Sequence, residues 1–165
     1  LCLMTAQIAN GGYKIYPKII AKEEGEDEPE DKFIPLFKDS KNIKIVQDAM
    51  FGSTNEVMGT SYRSRINDPK YQFAGKTGTA QVKKITEQDR ALDLKTFEIP
   101  YEERDHALYI AFGPYKNPRY ALSVLVEHGG NGSTTAAPMA KKLFKLIIDR
   151  HELRESIEDK KYMDI

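Results

Sequence analysis

Apolar residues fall along this chain in short periodic runs separated by long polar stretches. Leu1, Met4 and Ile8 share helical spacing, and the run halts at Asn10-Gly11-Gly12, a sequence suited to ending a helix. Tyr13 to Ile20 reads as a short extended segment, which Pro17 confines to an edge or a bend. Ile43, Val46, Ala49 and Met50 lie on one face of a helix predicted over Ile43 to Phe51, with Asp39 or Ser40 as its cap. Gly52 to Ser61 reads as irregular chain. Leu108 to Phe112 reads as a buried strand, and Leu122, Val124, Leu125 and Val126 mark a second one. The turn residues of Gly113 to Pro118 join them into a hairpin. After Gly129-Gly130-Asn131-Gly132 a last helix is predicted, capped by Thr134 or Thr135. Its expected core stripe is Ala136, Met139, Ala140, Leu143, Leu146 and Ile147, with Lys141, Lys142 and Lys145 on the other face.

The polar stretches divide by composition. Lys22 to Lys32 is an acidic run containing Gly25 and Pro29 and reads as a solvated loop. Phe33 to Phe37 would re-anchor the chain on the core. Lys83 to Glu103 is a long charged insertion with Ile99-Pro100 as its packing point. Glu152 to Ile165 reads as a frayed, charged tail.

One more strand is predicted, and its middle is unusual. Tyr71 to Val82 has aromatic and β-branched residues at its ends and no proline. Within it, Lys76 and Gly78 point to one face, and Thr77 and Thr79 to the other. A glycine inside a strand marks close approach by another backbone or by a ligand. A cation, two hydroxyls and a gap suit an extended ligand that carries a carboxylate and lies along a sheet edge. Two other readings compete. Gly75-Lys76-Thr77 matches the tail of a phosphate-binding loop, but Lys70 stands where that motif needs glycine, and no helix follows. The stretch also reads as a surface turn. Together the elements give an α+β fold, an antiparallel sheet of motif strand plus hairpin, packed by helices.

Composition narrows the function classes. The 165 residues suffice for one domain with a real core, and 40% are hydrophobic. Lys plus Arg equals Asp plus Glu at 25 each, which gives no argument for binding nucleic acid or a membrane surface. Cys2 is the only cysteine, so no internal disulfide forms. One cysteine and three scattered histidines make no metal-ligand cluster, and no cofactor is expected. No apolar run approaches a membrane span, and no signal peptide is visible. The chain opens inside an apolar pattern with neither methionine nor helix cap, so a piece of something longer is expected.

Lys76-Thr77-Gly78-Thr79 resembles the third active-site motif of the penicillin-binding proteins, which stands on a sheet-edge strand beside the catalytic serine. The likeness extends further. Ala9-Asn10-Gly11-Gly12 with Pro17, and Met50-Phe51-Gly52 with Gly59-Thr60, are similar to segments preceding that motif in class B members. Arg104-Asp105-His106-Ala107-Leu108, Ala111-Phe112-Gly113-Pro114-Tyr115, Asn117-Pro118 and Val126-Glu127-His128-Gly129-Gly130 resemble the elongation-type members. The resemblance implies that residues 1–150 are the C-terminal part of a penicillin-binding/β-lactamase-like transpeptidase domain, with 151–165 as a charged tail.

That family implies a D,D-transpeptidase of peptidoglycan synthesis, anchored in the bacterial inner membrane and working in the periplasm. Its serine acylates on a stem peptide ending in D-Ala-D-Ala, and β-lactams trap the acyl-enzyme. Cell-wall elongation proteins are the implied partners, and the membrane anchor would lie outside this chain. Carried over, Lys76 and Thr79 are the catalytic candidates. Lys76 supplies positive charge, and the Thr79 backbone N–H is an oxyanion donor. Thr77, Gly78 and Thr79 are the substrate-binding candidates, the hydroxyls holding the carboxylate. One departure matters. No serine in the chain has a lysine three residues later, so the nucleophile and its base are not among these residues. Ser40-Lys41-Asn42 and Ser53-Thr54-Asn55 fit the S-x-N form but occupy the wrong place in the family's order, and read as coincidences. His106, His128, Glu102, Glu103 and Asp105 read as structural. The competing hypotheses are a catalytically dead relative that binds elongation partners, and an unrelated peptide-binding module using the open strand edge.

Overall fold

The run Leu108 to Phe112 lies at the centre of the molecule. In the computed structural model, which describes residues 1–19, 34–84, 87 and 94–163, it belongs to strand β2 (His106–Gly113). Strands β1 (Ala74–Ala80) and β3 (Tyr120–Val126) flank it in a three-stranded antiparallel sheet of order β1-β2-β3. Register follows the side-chain period of two: Gly75 opposes Ala111, Thr77 opposes Tyr109 and Ile110 opposes Ser123. The expected α+β fold and hairpin are therefore present.

Helices cover both faces of the sheet. On one face Ala107, Tyr109 and Ala111 of β2 are sealed from solvent with Phe73 and Leu122 beneath helix α3 (Ala137–Met163). Ala136, Ala137 and Ala140 let that helix end lie close to the sheet, and Phe144 stacks on Phe73 with ring centroids 4.9 Å apart. On the other face Phe112 and Ala74 pack with Met50, Ile8 and Phe51 of helices α1 (Cys2–Ala9) and α2 (Ser40–Asn55). Burial on both faces explains why β2 reads as a continuous apolar run rather than an alternating one.

α1 ends as expected. Asn10 Oδ1 accepts from the N–H groups of Gly12 and Tyr13 at 3.1 and 3.0 Å, and Gly11 and Gly12 take φ values of 92° and 91°. α2 is capped by Asp39, whose carboxylate accepts from Lys41 N at 2.8 Å. It runs on to Asn55, past the expected end at Phe51. Tertiary bonds hold the extra turn: Asn55 Nδ2 donates to Phe51 O at 3.0 Å and to Phe73 O at 2.9 Å. Its buried positions are Ile43, Met50 and Thr54, while Val46 and Ala49 are exposed, so the inward face is turned from the expected one.

The last helix departs further. Asn131 caps it, not Thr134 or Thr135: its side chain accepts from Ser133 N at 2.7 Å and starts a π-helical turn, Gly132–Ala136. The buried stripe is Ala136, Ala137, Ala140, Phe144 and Ile148. Met139, Leu143 and Leu146 are 45%, 39% and 64% exposed, so the expected Met and Leu stripe is not the core face. Close approach to the sheet selects small residues and one ring for the gap, over side-chain hydrophobicity alone. The backbone stays helical to Met163, where fraying was expected.

Tyr13 forms an isolated bridge to Pro35 and no strand runs over residues 14–19, while Ile20 lies outside the described residues. The acidic run Lys22 to Lys32 lies outside the described residues, as do residues 85–86 and 88–93 of the long insertion. That insertion is closed at its neck: Val82 N donates to Asp105 Oδ1 at 3.2 Å, and Lys83 pairs with Glu103 at 2.6 Å.

Two substitutions on α3 separate the observed stripe from the expected one. Phe144→Ala removes the ring stacked on Phe73 and should destabilise by about 3–5 kcal/mol. Met139→Ala, on the exposed flank, should stay within about 0.5 kcal/mol. Denaturant unfolding followed by circular dichroism measures both, and equal losses would restore the expected stripe.

Candidate functional site

Among the described residues strand β1 pairs only with β2, so it forms one edge of the sheet. Its burial changes along its length. Ala74 and Gly75 are buried, whereas Lys76, Thr79 and Ala80 are exposed and Thr77 and Gly78 half-buried. All of the expected site residues therefore sit together on the open half of one strand. The register confirms their alternation: Thr77 and Thr79 oppose Tyr109 and Ala107, while Lys76 and Gly78 oppose Ile110 and Leu108.

Lys76 curls back along this edge. Its Nζ donates to Thr77 O at 2.9 Å and to Thr77 Oγ1 at 3.2 Å. Thr77 Oγ1 shares a hydrogen bond with Thr60 Oγ1 at 3.3 Å, and Thr60 shares another with Ser53 Oγ at 3.1 Å. Among the described residues no carboxylate pairs with Lys76. A cation without a counterion, set among hydroxyls that both donate and accept, is the chemistry of an anion site.

The strand is held from behind by groups the sequence reading missed. Gly75 has no room for a side chain, because a Cβ there would overlap the ring and hydroxyl of Tyr109. The Tyr109 hydroxyl lies 2.9 Å from Thr54 Oγ1 and 2.9 Å from Ser61 Oγ. Burial holds the phenol above its ordinary pKa range against the opposing pull of these two hydrogen bonds, so it stays neutral. Further along, a Cβ on Gly132 would lie 2.7 Å from Gly78 O, so the turn before α3 rests on the backbone of β1. Gly78 was expected to give clearance to a ligand. Here another backbone approaches it, and a Cβ at Gly78 would sit 3.3 Å from Leu108 Cβ. The signal for Gly75 was visible as a glycine within a strand. Nothing local marked Tyr109, Thr54 or Ser61.

His106, His128, Glu103 and Asp105 have structural partners. His128 N donates to His106 Nδ1 at 2.9 Å, and His128 Nδ1 lies 3.1 Å from Arg104 O. Since Nδ1 of His106 accepts, its ring proton sits on Nε2. These contacts close the end of the β1–β2 ladder where Ala80 opposes His106. Asn55 uses its amide on Phe51 and Phe73, and Ser40 and Asn42 lie in the first turn of α2. Among the described residues no group of His, Cys, Asp and Glu could hold a metal ion.

Comparison with known proteins identifies the family. The family described as penicillin binding protein transpeptidase domain matches residues 1–145. The peptidoglycan D,D-transpeptidase MrdA of Salmonella typhimurium is 39% identical over 105 residues, covering 64% of this chain and 16% of that protein. The Acinetobacter baumannii MrdA is 32% identical over 150 residues, covering 87% of this chain and 21% of that protein. The chain thus spans a small part of the curated relatives it matches. Among solved structures, Pseudomonas aeruginosa penicillin-binding protein 2 in complex with WCK 5153 has a TM-score of 0.65 and 32% identity, over 87% of this chain and 28% of that one. Helicobacter pylori penicillin-binding protein 2, solved in complex with MreC, has a TM-score of 0.54 and 32% identity, over 67% of this chain and 18% of that one. The order of segments, the fold and the match across residues 1–145 agree: the chain belongs to the penicillin-binding protein transpeptidase family, and is of the penicillin-binding protein 2 type.

Proposed function

We propose that residues 1–150 are the carboxylate-binding, C-terminal part of a serine-type peptidoglycan D,D-transpeptidase domain. The observation that carries this reading is Lys76, without a carboxylate partner among the described residues, hydrogen-bonded to the Thr77 hydroxyl on an open sheet edge that also carries Thr79. In the reaction a serine Oγ, supplied by chain beyond these residues, attacks the carbonyl of the penultimate D-Ala. The terminal D-Ala leaves as the amine, and a neighbouring stem-peptide amine then takes the acyl group and frees the serine. Thr77 and Thr79 hold the terminal carboxylate, and Lys76 lends its field. The Thr79 N–H stabilises the developing oxyanion, a contribution of about 3 kcal/mol for one preorganised donor.

β-Lactams would enter the same site, presenting a carboxylate to the same hydroxyls. The Helicobacter pylori relative solved with MreC supports a partner from the cell-wall elongation machinery. The family supports a domain facing the periplasm on an inner-membrane protein whose anchor lies outside this chain. No helix among the described residues is long and apolar enough to cross a membrane.

Two outcomes test the reading. In the full-length protein, Thr77→Val keeps shape and β-propensity but removes one hydroxyl from the carboxylate. Acylation by a β-lactam should slow by roughly 10- to 100-fold, as a lost hydrogen bond to a charged group of about 1.5–3 kcal/mol requires. Ser156→Ala, an exposed hydroxyl far along α3, should acylate at the parental rate. Equal rates for the parent and Thr77→Val would move the site elsewhere. The second outcome concerns these 165 residues alone. They should take no covalent label from a fluorescent penicillin, since no serine in them has a lysine three residues on. A labelled band abolished by prior β-lactam would place a nucleophile within the chain.

A further inference from the structure

Three hydroxyls meet in the interior behind β1. Tyr109, Thr54 and Ser61 come from β2, the last turn of α2 and the segment before a 3-10 turn, and they are 0%, 0% and 1% exposed. Their protons can be counted. Ser61 donates to Ser53 O at 3.0 Å, and Thr54 can donate to Met50 O at 3.3 Å or Gly75 O at 3.4 Å. The Tyr109 proton is left to bind one of the two side-chain oxygens, each 2.9 Å away. The network is closed, as a buried polar group must be if it is not to cost stability.

Core packing alone does not call for it. Phenylalanine would keep the ring in the core at position 109 without burying a hydroxyl. What the hydroxyl gains is a grip on two flanks of the candidate site. It fills the space left by the missing side chain of Gly75, on β1 itself. It also binds Ser61, and the residue next to Ser61 is Thr60, whose hydroxyl lies 3.3 Å from that of Thr77. Ser53 ties the same segment twice more: its carbonyl accepts from Ser61 N at 2.9 Å, and its hydroxyl meets Thr60 at 3.1 Å. A continuous path therefore runs from Tyr109 through Ser61 and Thr60 to Thr77 and Lys76.

We infer that the Tyr109 hydroxyl is a positioning group for the anion site, fixing through Ser61, Thr60 and Gly75 where Thr77 presents its hydroxyl to a ligand carboxylate. The inference rests on the proposed transpeptidase reading and deepens it. Productive sites hold their groups to about half an ångström, and residues behind them set that tolerance. Losing the Tyr109 hydroxyl leaves Ser61 with the Ser53 carbonyl and Thr54 with the Met50 carbonyl, so the fold keeps its bonds while the Thr60 segment loses its stop.

The test compares two probes on the full-length protein, a penicillin with its free carboxylate and the methyl ester of the same molecule. The parent should acylate faster with the acid. In Tyr109→Phe the acid rate should fall about 5- to 20-fold and the ester rate less than about 2-fold, so the preference for the acid largely disappears. Damage to folding alone would lower both rates by one factor and leave that preference intact. Ser61→Ala cuts the same path with Tyr109 in place and should show the same loss, which covers the case in which Tyr109→Phe does not fold. In a Thr77→Val background, Tyr109→Phe should add little, because both act on one contact. A labelled parent whose Tyr109→Phe and Ser61→Ala forms keep the acid preference overturns this inference alone. A parent that takes no label overturns the transpeptidase reading, and this inference with it.

Discussion

Strand β2 is covered on both faces, fully on one and with Leu108 and Ile110 half-buried on the other. Ala107, Tyr109 and Ala111 lie under α3, and Phe112 lies under α1 and α2, so layers of chain distant in sequence must close on it from both sides. Each of those layers brings a polar piece of the site with it. α2 carries Thr54 and Ser53 to the edge of β1, and the turn before α3 seats Gly132 on the backbone of Gly78. Removing β2 from solvent is thus the condition for everything placed around β1. The energy scale is that of burying large rings, each worth several kcal/mol when deleted from a core.

The candidate site lies where that burial stops. Within seven residues β1 passes from a sealed start at Ala74 and Gly75 to an exposed end at Thr79 and Ala80. The sealed part supplies rigidity through Tyr109 and the Asn55 bond to Phe73 O, and the open part supplies a strand edge with exposed polar side chains. An edge strand is normally blunted, because it invites pairing with another chain. Here Lys76 folds over the edge while staying without a carboxylate partner among the described residues, which suits an edge kept for an extended ligand.

Local order was the part of this structure legible in the sequence. The run Leu108 to Phe112, the turn at Asn10-Gly11-Gly12 and the motif Lys76 to Thr79 all carry their signal within a few residues, and each stands where it was expected. The errors arose where distant chain decides. α2 outruns its apolar period because Asn55 finds Phe73 O, and α3 turns Phe144 inward because Phe73 waits for it across the sheet. The cap was assigned to Thr134 or Thr135, but Asn131, at the end of the glycine turn, competes better for Ser133 N. Tyr109 looked like one more apolar residue of a buried strand. Its hydroxyl partners stand 48 and 55 residues away in the chain, a distance no local pattern spans.

The neck that closes the β1–β2 connection has a consequence for how the sequence can change. Val82 is tied to Asp105, and Lys83 to Glu103, so the two strands meet through contacts made below the connecting segment. The ends are held together whatever lies between them. Lengthening a flexible connection costs only about 0.6 kcal/mol for each doubling. Insertions and deletions above the neck can therefore accumulate without shifting Thr77 or Thr79, and the strand keeps its register.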